Sequence, residues 1–331
     1  VAKPAPAGGP PASLVPFLVR RLVFCALTLL VASIAVFGLL SVLPGNPAEV
    51  ILGTQATPAA VHAKMVQLGL DIPLWLQWAH WTGGLLSGRL GTSYISRQAI
   101  GPQISAALGV TGPLVGFGLA IGLVVGVGLG TLSALRHRRL SGAILASASQ
   151  LGIAVPNFVA GILLVIVFGV KLGWLPTSGF GSGVSYWSQD FPGAVKALVL
   201  PSLALGLAEG AVLSRYVRSA VLDVLRSDFL RTARSKGLRP GQALLRHGLR
   251  NAAAPVLTVL GLELAGLLVG AVVLENVFEL PGLGMNLVQW IENRDLLAVQ
   301  DVVMLIAGTV LVVNLLVDVG YRLLDPRVAL R

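Results

Sequence analysis

The sequence predicts an all-α integral membrane protein with six transmembrane helices. Three observations lead there. Of 331 residues, 55% are hydrophobic and 11% charged, with a mean hydropathy of +0.84, which leaves too little charge to cover a water-soluble surface. Six apolar runs are each long enough to cross the ~30 Å hydrocarbon layer. Between the fourth and fifth runs stands one strongly basic polar interval, DFLRTARSKGLRPGQALLRHGLRNAAAP at 228–255.

Residues 1–13 are Pro- and Gly-rich with nothing to pack, and are expected to be a disordered tail. Residues 14–43 form the first span, entered at Arg20 and Arg21. Its apolar core exceeds the ~7–15 residues of a signal peptide, which favours an uncleaved helix. Residues 44–103 are too long for a simple connector and predict an external subdomain. Within it Asp71 and Pro73 signal a helix start, and Trp75, Trp78 and Trp81 fall every third residue near one face. Such a face suits either the membrane interface or packing inside the subdomain.

The second span, 104–135, carries Gly118, Gly122, Gly126 and Gly130 at four-residue spacing, a stripe on which another helix can pack closely in lipid. A turn at 136–141 leads to the third span, 142–170. There Pro156 frees a backbone carbonyl beside Asn157, either bending the helix along a transport path or simply kinking it. An external loop at 171–196 precedes the fourth span, 197–217, with Glu209 inside it.

The interval 218–251 reads as a short helix that Ser227 can cap, a stop at Gly237 in the left-handed conformation, and a second helix opened by Pro240. The fifth span, 252–274, holds Glu263. A third external loop, 275–297, contains Glu275, a turn at Pro281, Gly282 and Gly284, and a short dipping helix over 287–291. The sixth span, 298–319, ends in a cytoplasmic tail at 320–331. Asn314, Asp318 and Arg322 share one face there, with Asp318 and Arg322 spaced for a helical ion pair. Most of the 24 Lys and Arg residues fall on the tails, the turn at 136–141 and the basic interval, so both termini and that interval are assigned to the cytoplasm.

Several function classes have no support. The net charge of +10 is segregated by loop rather than gathered into an aromatic-studded groove, which argues against nucleic acid. No lysine is followed by Ser or Thr, so there is no phosphate-binding loop of the GxxxxGK[ST] kind. Histidines 62, 80, 137 and 247 lack metal-ligand spacing, the single Cys25 sits in an apolar run, and no serine lies in a GxSxG elbow. No catalytic, cofactor-binding or metal residue is assigned.

The segment RTARSKG, followed by LRHGLRNAAAP, resembles the coupling loop, or EAA loop, of ABC importer permeases. LPGNPA at 43–48, LGLDIPLWLQW at 68–78, GRLGTSY at 88–94, LGWLPTSG at 172–179, ENVFELPGLG at 275–284 and the closing NLLVDVGYRLLDPR resemble segments of the dipeptide, oligopeptide and nickel branch. The matches keep the family's order over nearly the whole chain after Leu14. Arg231 stands where many such permeases carry the glutamate that names the loop, a departure common in the peptide branch.

The resemblance implies a type I importer permease in the inner membrane. It would pair with a second homologous permease, take peptide from an external substrate-binding protein, and be driven by two cytoplasmic ATPase subunits that hold the ATP and Mg. Asp228, Phe229, Leu230, Arg231, Thr232, Ala233, Arg234, Lys236, Gly237 and Leu238 would then contact the ATPases, with Phe229 and Leu230 as apolar plugs and Arg231, Arg234 and Lys236 at the rim. Asn157, Glu209, Glu263 and Glu275 are the candidate lining of the path, since carboxylates inside spans are costly and face partners or water. Glu209 and Glu263 can equally be links between helices. A nickel-chelate or glycoside permease, and a secondary transporter using Glu209, Glu263 or Asp318 as proton carriers, are the alternatives.

Overall fold

The structure, a computed structural model, describes residues 14–42, 47–53 and 56–324. The expected tail at 1–13, most of LPGNPA and the last seven residues lie outside the described residues. The described chain is helical, with a single isolated bridge between Thr92 and Ala99.

Helix α1 (Leu14–Val42) is followed by three short helices: α2 (Pro47–Leu52), α3 (Pro58–Leu68) and α4 (Leu74–Leu86). The long helix α5 (Ile100–Leu135) then leads into α6 (Leu140–Ala154) and α7 (Asn157–Leu164), the latter continued by a π-helical stretch, Val165–Lys171. After α8 (Tyr186–Gln189) come α9 (Phe191–Leu225), α10 (Asp228–Ser235) and α11 (Pro240–Ala243). A π-turn, Leu244–Gly248, joins α11 to α12 (Leu249–Val277), followed by α13 (Leu283–Glu292) and α14 (Leu296–Leu324).

Five helices are long and apolar enough to cross a membrane, and α6 with α7 form a sixth apolar stretch bent by 99° at its break. Packing decides whether that bent pair crosses. Beta carbons placed at Gly118, Gly122, Gly126 and Gly130 of α5 would strike Leu205, Glu209, Leu213 and Val217 of α9 in turn. Both series rise together, so α5 and α9 run parallel. A chain leaving α5 at one end must return to the other before entering α9 in the same direction. The bent pair makes that return and is the sixth span.

The glycine stripe is therefore met by a ridge at i, i+4, i+8 and i+12 on α9. The fit is mutual: Gly206 and Gly210 of α9 admit Ile121 and Val125 of α5. Two backbones held this close gain dispersion contacts that lipid tails cannot supply.

Several boundaries differ from the sequence reading. The fourth span begins at Phe191 instead of 197, because Asp190 Oδ1 accepts the Gly193 N–H at 3.0 Å and Pro192 sits in the first turn. The same helix runs on to Leu225, well past 217. The fifth span is the end of a helical run starting at Pro240, and the dipping helix of the last loop covers Leu283–Glu292 rather than 287–291. Ser227 does not cap α10 with its side chain; its hydroxyl donates back to the Val224 carbonyl at 2.5 Å, while its own carbonyl accepts the Arg231 N–H.

Three apolar clusters stack along the bundle. One, at the α4 end, contains Ile100, Ile104, Leu283, Trp290 and Val302; the middle one centres on Leu114, Leu198, Leu205, Leu274 and Phe278; the third, at the α10 end, on Leu213, Val221, Leu230 and Leu244. Helix α1 touches the first of them only through Leu40 and is fastened to α14 by Arg21 on Asp318 at 2.8 Å and by Arg322 over the Phe17 ring at 4.6 Å. Asp318 thus reaches across to another helix in addition to any partner one turn along its own.

At the α4 end the tryptophan face divides. Trp78 donates to Ser33 of α1 at 3.3 Å and Trp81 to Asp301 of α14 at 2.8 Å, with Trp81 also stacked on Phe37. Trp75 stays 69% exposed. Nearby, Asp295 accepts from the Ser93 hydroxyl and from the Tyr94 N–H at 3.2 Å, tying GRLGTSY to the start of α14. Burial first, then the charges of Asp295 and Asp301, holds the Tyr94 phenol above its ordinary range.

Candidate functional site

Helix α10 projects from the end of the bundle and is strongly two-sided. Leu230 is fully buried and Ala233 nearly so, three residues apart on the face turned toward α9 and the π-turn. A beta carbon at Gly248 would meet Val224, Leu244 and Leu230 together, which places Leu230 in the elbow between α9 and the run into α12. This corrects the pairing of Phe229 with Leu230 as plugs. The Leu230 side chain is consumed by the chain's own core, whereas Phe229 is 43% exposed.

Asp228, Arg231, Thr232 and Lys236 are exposed, and Leu238 is half-buried against the same cluster as Leu230. The Arg234 side chain lies outside the described residues. Arg231 and Asp228 approach only to 4.0 Å across open solvent, a pair that fixes little. Thr232 donates to the Asp228 carbonyl, and Ser235 to that of Arg231, so these hydroxyls are spent on their own helix. Gly237 has φ +92° with open space where a side chain would go, so glycine is required there by conformation and not by crowding. Pro240 opens α11, with the Arg239 N–H bonded to Gln242 at 3.3 Å.

Of the acidic and amide candidates, the structure brings three toward one seam. Asn157 opens α7 directly after Pro156, and its amide lies over Gly270 of α12 beside Leu205 of α9. One turn along, Glu209 stands at the midpoint of α9, 8% exposed, with its aliphatic stem on Gly122 and its Oε1 without a partner among the described residues. Glu263 of α12 is half-buried and close enough for its charge to act on Glu209. Burying a carboxylate without a hydrogen-bond donor is expensive, which makes Glu209 the least compensated charge of the seam.

Glu275 is placed elsewhere. It is fully buried; its Oε1 accepts from the Thr111 hydroxyl at 2.6 Å and its Oε2 from the N–H groups of Gly284 and Met285 at 2.6 and 3.2 Å. Thr111 in turn accepts the Leu283 N–H at 2.8 Å. The carboxylate therefore clamps the first turn of α13 onto α5 and offers no oxygen to a passing solute, which removes it from the expected lining of the path. A beta carbon at Gly282 would lie 2.2 Å from the Glu275 carboxyl carbon, and one at Gly284 2.4 Å from the Val272 backbone. The glycines of this motif are there for close approach, and the left-handed residue is Glu279, at φ 53°.

Sequence reasoning missed Thr111, Ser93 and Asp301, whose partners lie 164, 202 and 220 residues away. The start of α9 carries a local signal in the sequence, Asp190-Phe191-Pro192, with Asp190 as the cap. Among the described residues no group of histidine, cysteine and carboxylate side chains could hold a metal ion.

Known proteins carry the same pattern. Residues 14–108 match the N-terminal part of the family described as binding-protein-dependent transport system membrane component, and residues 126–330 the family described as binding-protein-dependent transport system inner membrane component. The glutathione transport system permease protein GsiC of Escherichia coli strain K12 is 36% identical over 312 residues, covering 94% of this chain and 98% of its own. GsiC of Pectobacterium atrosepticum is 37% identical over the same shares. A probable peptide ABC transporter permease of Sinorhizobium fredii is 37% identical over 315 residues, again 94% and 98%. With both family parts matched in order on an all-helical, multi-span bundle, the chain belongs to the binding-protein-dependent transport system inner membrane components and is a permease of the ABC class.

Proposed function

We propose that this permease forms one half of the pathway of an ATP-driven importer of di- and oligopeptides. A second homologous permease completes the pathway, and two cytoplasmic ATPase subunits, which hold the ATP and Mg, drive it. An external substrate-binding protein delivers the peptide. Glutathione is itself a tripeptide, so the relatives named for glutathione and for peptides support one substrate class. Both termini and α10 lie in the cytoplasm: Arg136, Arg138, Arg139, Arg226, Arg231, Lys236, Arg239 and Arg246 gather at the α10 end, and basic loops stay inside.

The observation that carries the coupling role is the contrast between neighbours on α10. Leu230 is locked into the elbow joining α9 and α12, while Phe229 beside it is exposed. An exposed aromatic on a short helix rooted in two long ones can enter a cleft on an ATPase and pass its displacement to the bundle. Phe229→Ala removes the anchor without touching the core. In proteoliposomes holding the whole complex it is expected to lower ATP-dependent dipeptide uptake roughly 30-fold, the weight of an interface hot spot, with an unchanged melting temperature. Wild-type uptake by this variant would sink the coupling role.

Glu209 supports a second reading, as a proton carrier in a transporter driven without ATP, because its Oε1 has no partner at the middle of a span. Glu209→Gln separates the two. In the importer, a carboxylate meeting the peptide amino terminus predicts weaker uptake of free dipeptides and unchanged uptake of N-acetylated ones. A proton carrier predicts loss of uptake for both, together with loss of pH-gradient dependence.

A further inference from the structure

The charged face of α9 opens on a cavity of about 410 Å³ toward the α10 end, which the transport reading leaves unused. Arg218 and Ser219 line it from α9 three and four residues after Arg215, so both share a face with it. Ser149 and Gln150 of α6 and Ser133 of α5 complete the polar lining together with Ser214 of α9. Both charges on the lining are positive, and among the described residues no carboxylate borders the cavity.

The electrostatics of Arg218 are unusual for a span end. Arginines near the boundary of a helix ordinarily extend their guanidinium into water. Here the Arg218 Nη1 is sealed from solvent and has no hydrogen-bond partner among the described residues. Arg215 is turned over the Tyr216 ring at 4.9 Å, with its Nη2 donating to the Tyr216 hydroxyl at 3.3 Å, and stays exposed at the rim. Ser133, Ser149 and Ser214 spend their hydroxyl hydrogens on carbonyls of their own helices. The donors left over belong to the two arginines, Ser219 and Gln150. A sealed guanidinium N–H group without a partner is costly, and an oxyanion in the cavity would remove that cost with a charge-assisted hydrogen bond.

We propose that this cavity binds an oxyanion, a phosphate or carboxylate group, on Arg218 with Arg215 and Ser219 in support. Arg215 and Leu222 stand ten and three residues before the end of α9, which sets the cavity about 5–15 Å along the helix from that end. At this depth two sources supply the same chemistry: the phosphate of a phospholipid in the leaflet at the α10 end, or a soluble anion entering through the aqueous interior of the transporter. Anion binding here is independent of which solute the permease carries.

The test uses the full complex in an uncharged detergent, following the midpoint of thermal unfolding. The probes are dihexanoyl phosphatidylglycerol, with phosphate-free dihexanoylglycerol as control, and inorganic phosphate, with chloride at matched ionic strength. A saturable rise with either probe over its control is expected. Phosphatidylglycerol alone identifies a headgroup; inorganic phosphate acting as well identifies a soluble anion. Arg218→Gln is expected to weaken the apparent affinity roughly tenfold or more, as loss of a charged hydrogen bond does. Ser219→Asp, which builds a carboxylate into the cavity, is expected to raise the midpoint without any probe and to abolish the response, so the outcome does not depend on the folding of the arginine variant. No rise beyond the controls, or an equal rise in wild type and both variants, overturns the proposal.

Discussion

Gly130→Ala is expected to lower the melting temperature of the purified protein sharply, while Gly128→Ala, half a turn away on the same helix, does not lower it. A beta carbon at Gly130 would lie 2.6 Å from the Val217 beta carbon and 2.7 Å from the Ser214 carbonyl oxygen. The first neighbour is branched and stiff, and the second is backbone, so neither can swing aside. At Gly128 nothing lies within 4 Å. Overpacking of a rigid site costs about 1–3 kcal/mol and can cost more where backbone must move. The pair of variants has the same change in helix propensity, so the difference between their midpoints isolates close packing. Equal midpoints would mean that α5 and α9 are not interlocked as described.

The second large effect is expected at the clamp of α13. Glu275→Leu removes the acceptor of the N–H groups of Gly284 and Met285 and the partner of the Thr111 hydroxyl, around a fully buried carboxylate. Each buried donor left unsatisfied costs about 1–3 kcal/mol, so a total of several kcal/mol is expected. Glu275→Gln is expected to fall between wild type and Leu, since its carbonyl can serve one side of the clamp while its amide faces donors on the other. Thermal unfolding ranks the three. Hydrogen exchange of the amides at 279–295 checks the location, which should lose protection first in the Leu variant. A Leu variant as stable as wild type would show that α13 is held by the apolar contacts of Leu283 and Trp290 alone.

The sequence made legible what depends on neighbours along the chain. The all-helical class and six apolar stretches followed from hydropathy. Gly237 announced its positive φ because a basic helix stopped there, and Pro156 announced a break although not its 99° angle. The four-residue glycine stripe marked the packing face of α5 before its partner was visible. Pairings across the fold were another matter. Nothing near Glu275 in sequence distinguishes a clamp on Thr111 from a carboxylate lining a path, because the discriminating partner is 164 residues away. The contrast between Phe229 and Leu230 was closer to hand: Leu230 and Ala233 repeat at helical spacing, and the buried face of α10 could have been taken from that period.

The ridge of α9 sitting in the glycine stripe of α5 also sets how this protein can move. Each seat lies four residues from the next, a step of about 6 Å, and a displacement by half a step would lift Leu213 and Val217 out of their glycine seats onto the helix between them. Such a contact behaves like a ratchet with a coarse pitch: the two helices stay engaged or disengage, with no graded slide between. Under the coupling proposed above, a displacement of Leu230 at the foot of α9 would move both helices together as one splint. Flexing is left to the joints outside that splint, the elbow between α6 and α7 at Pro156 and the π-turn that leads into α12.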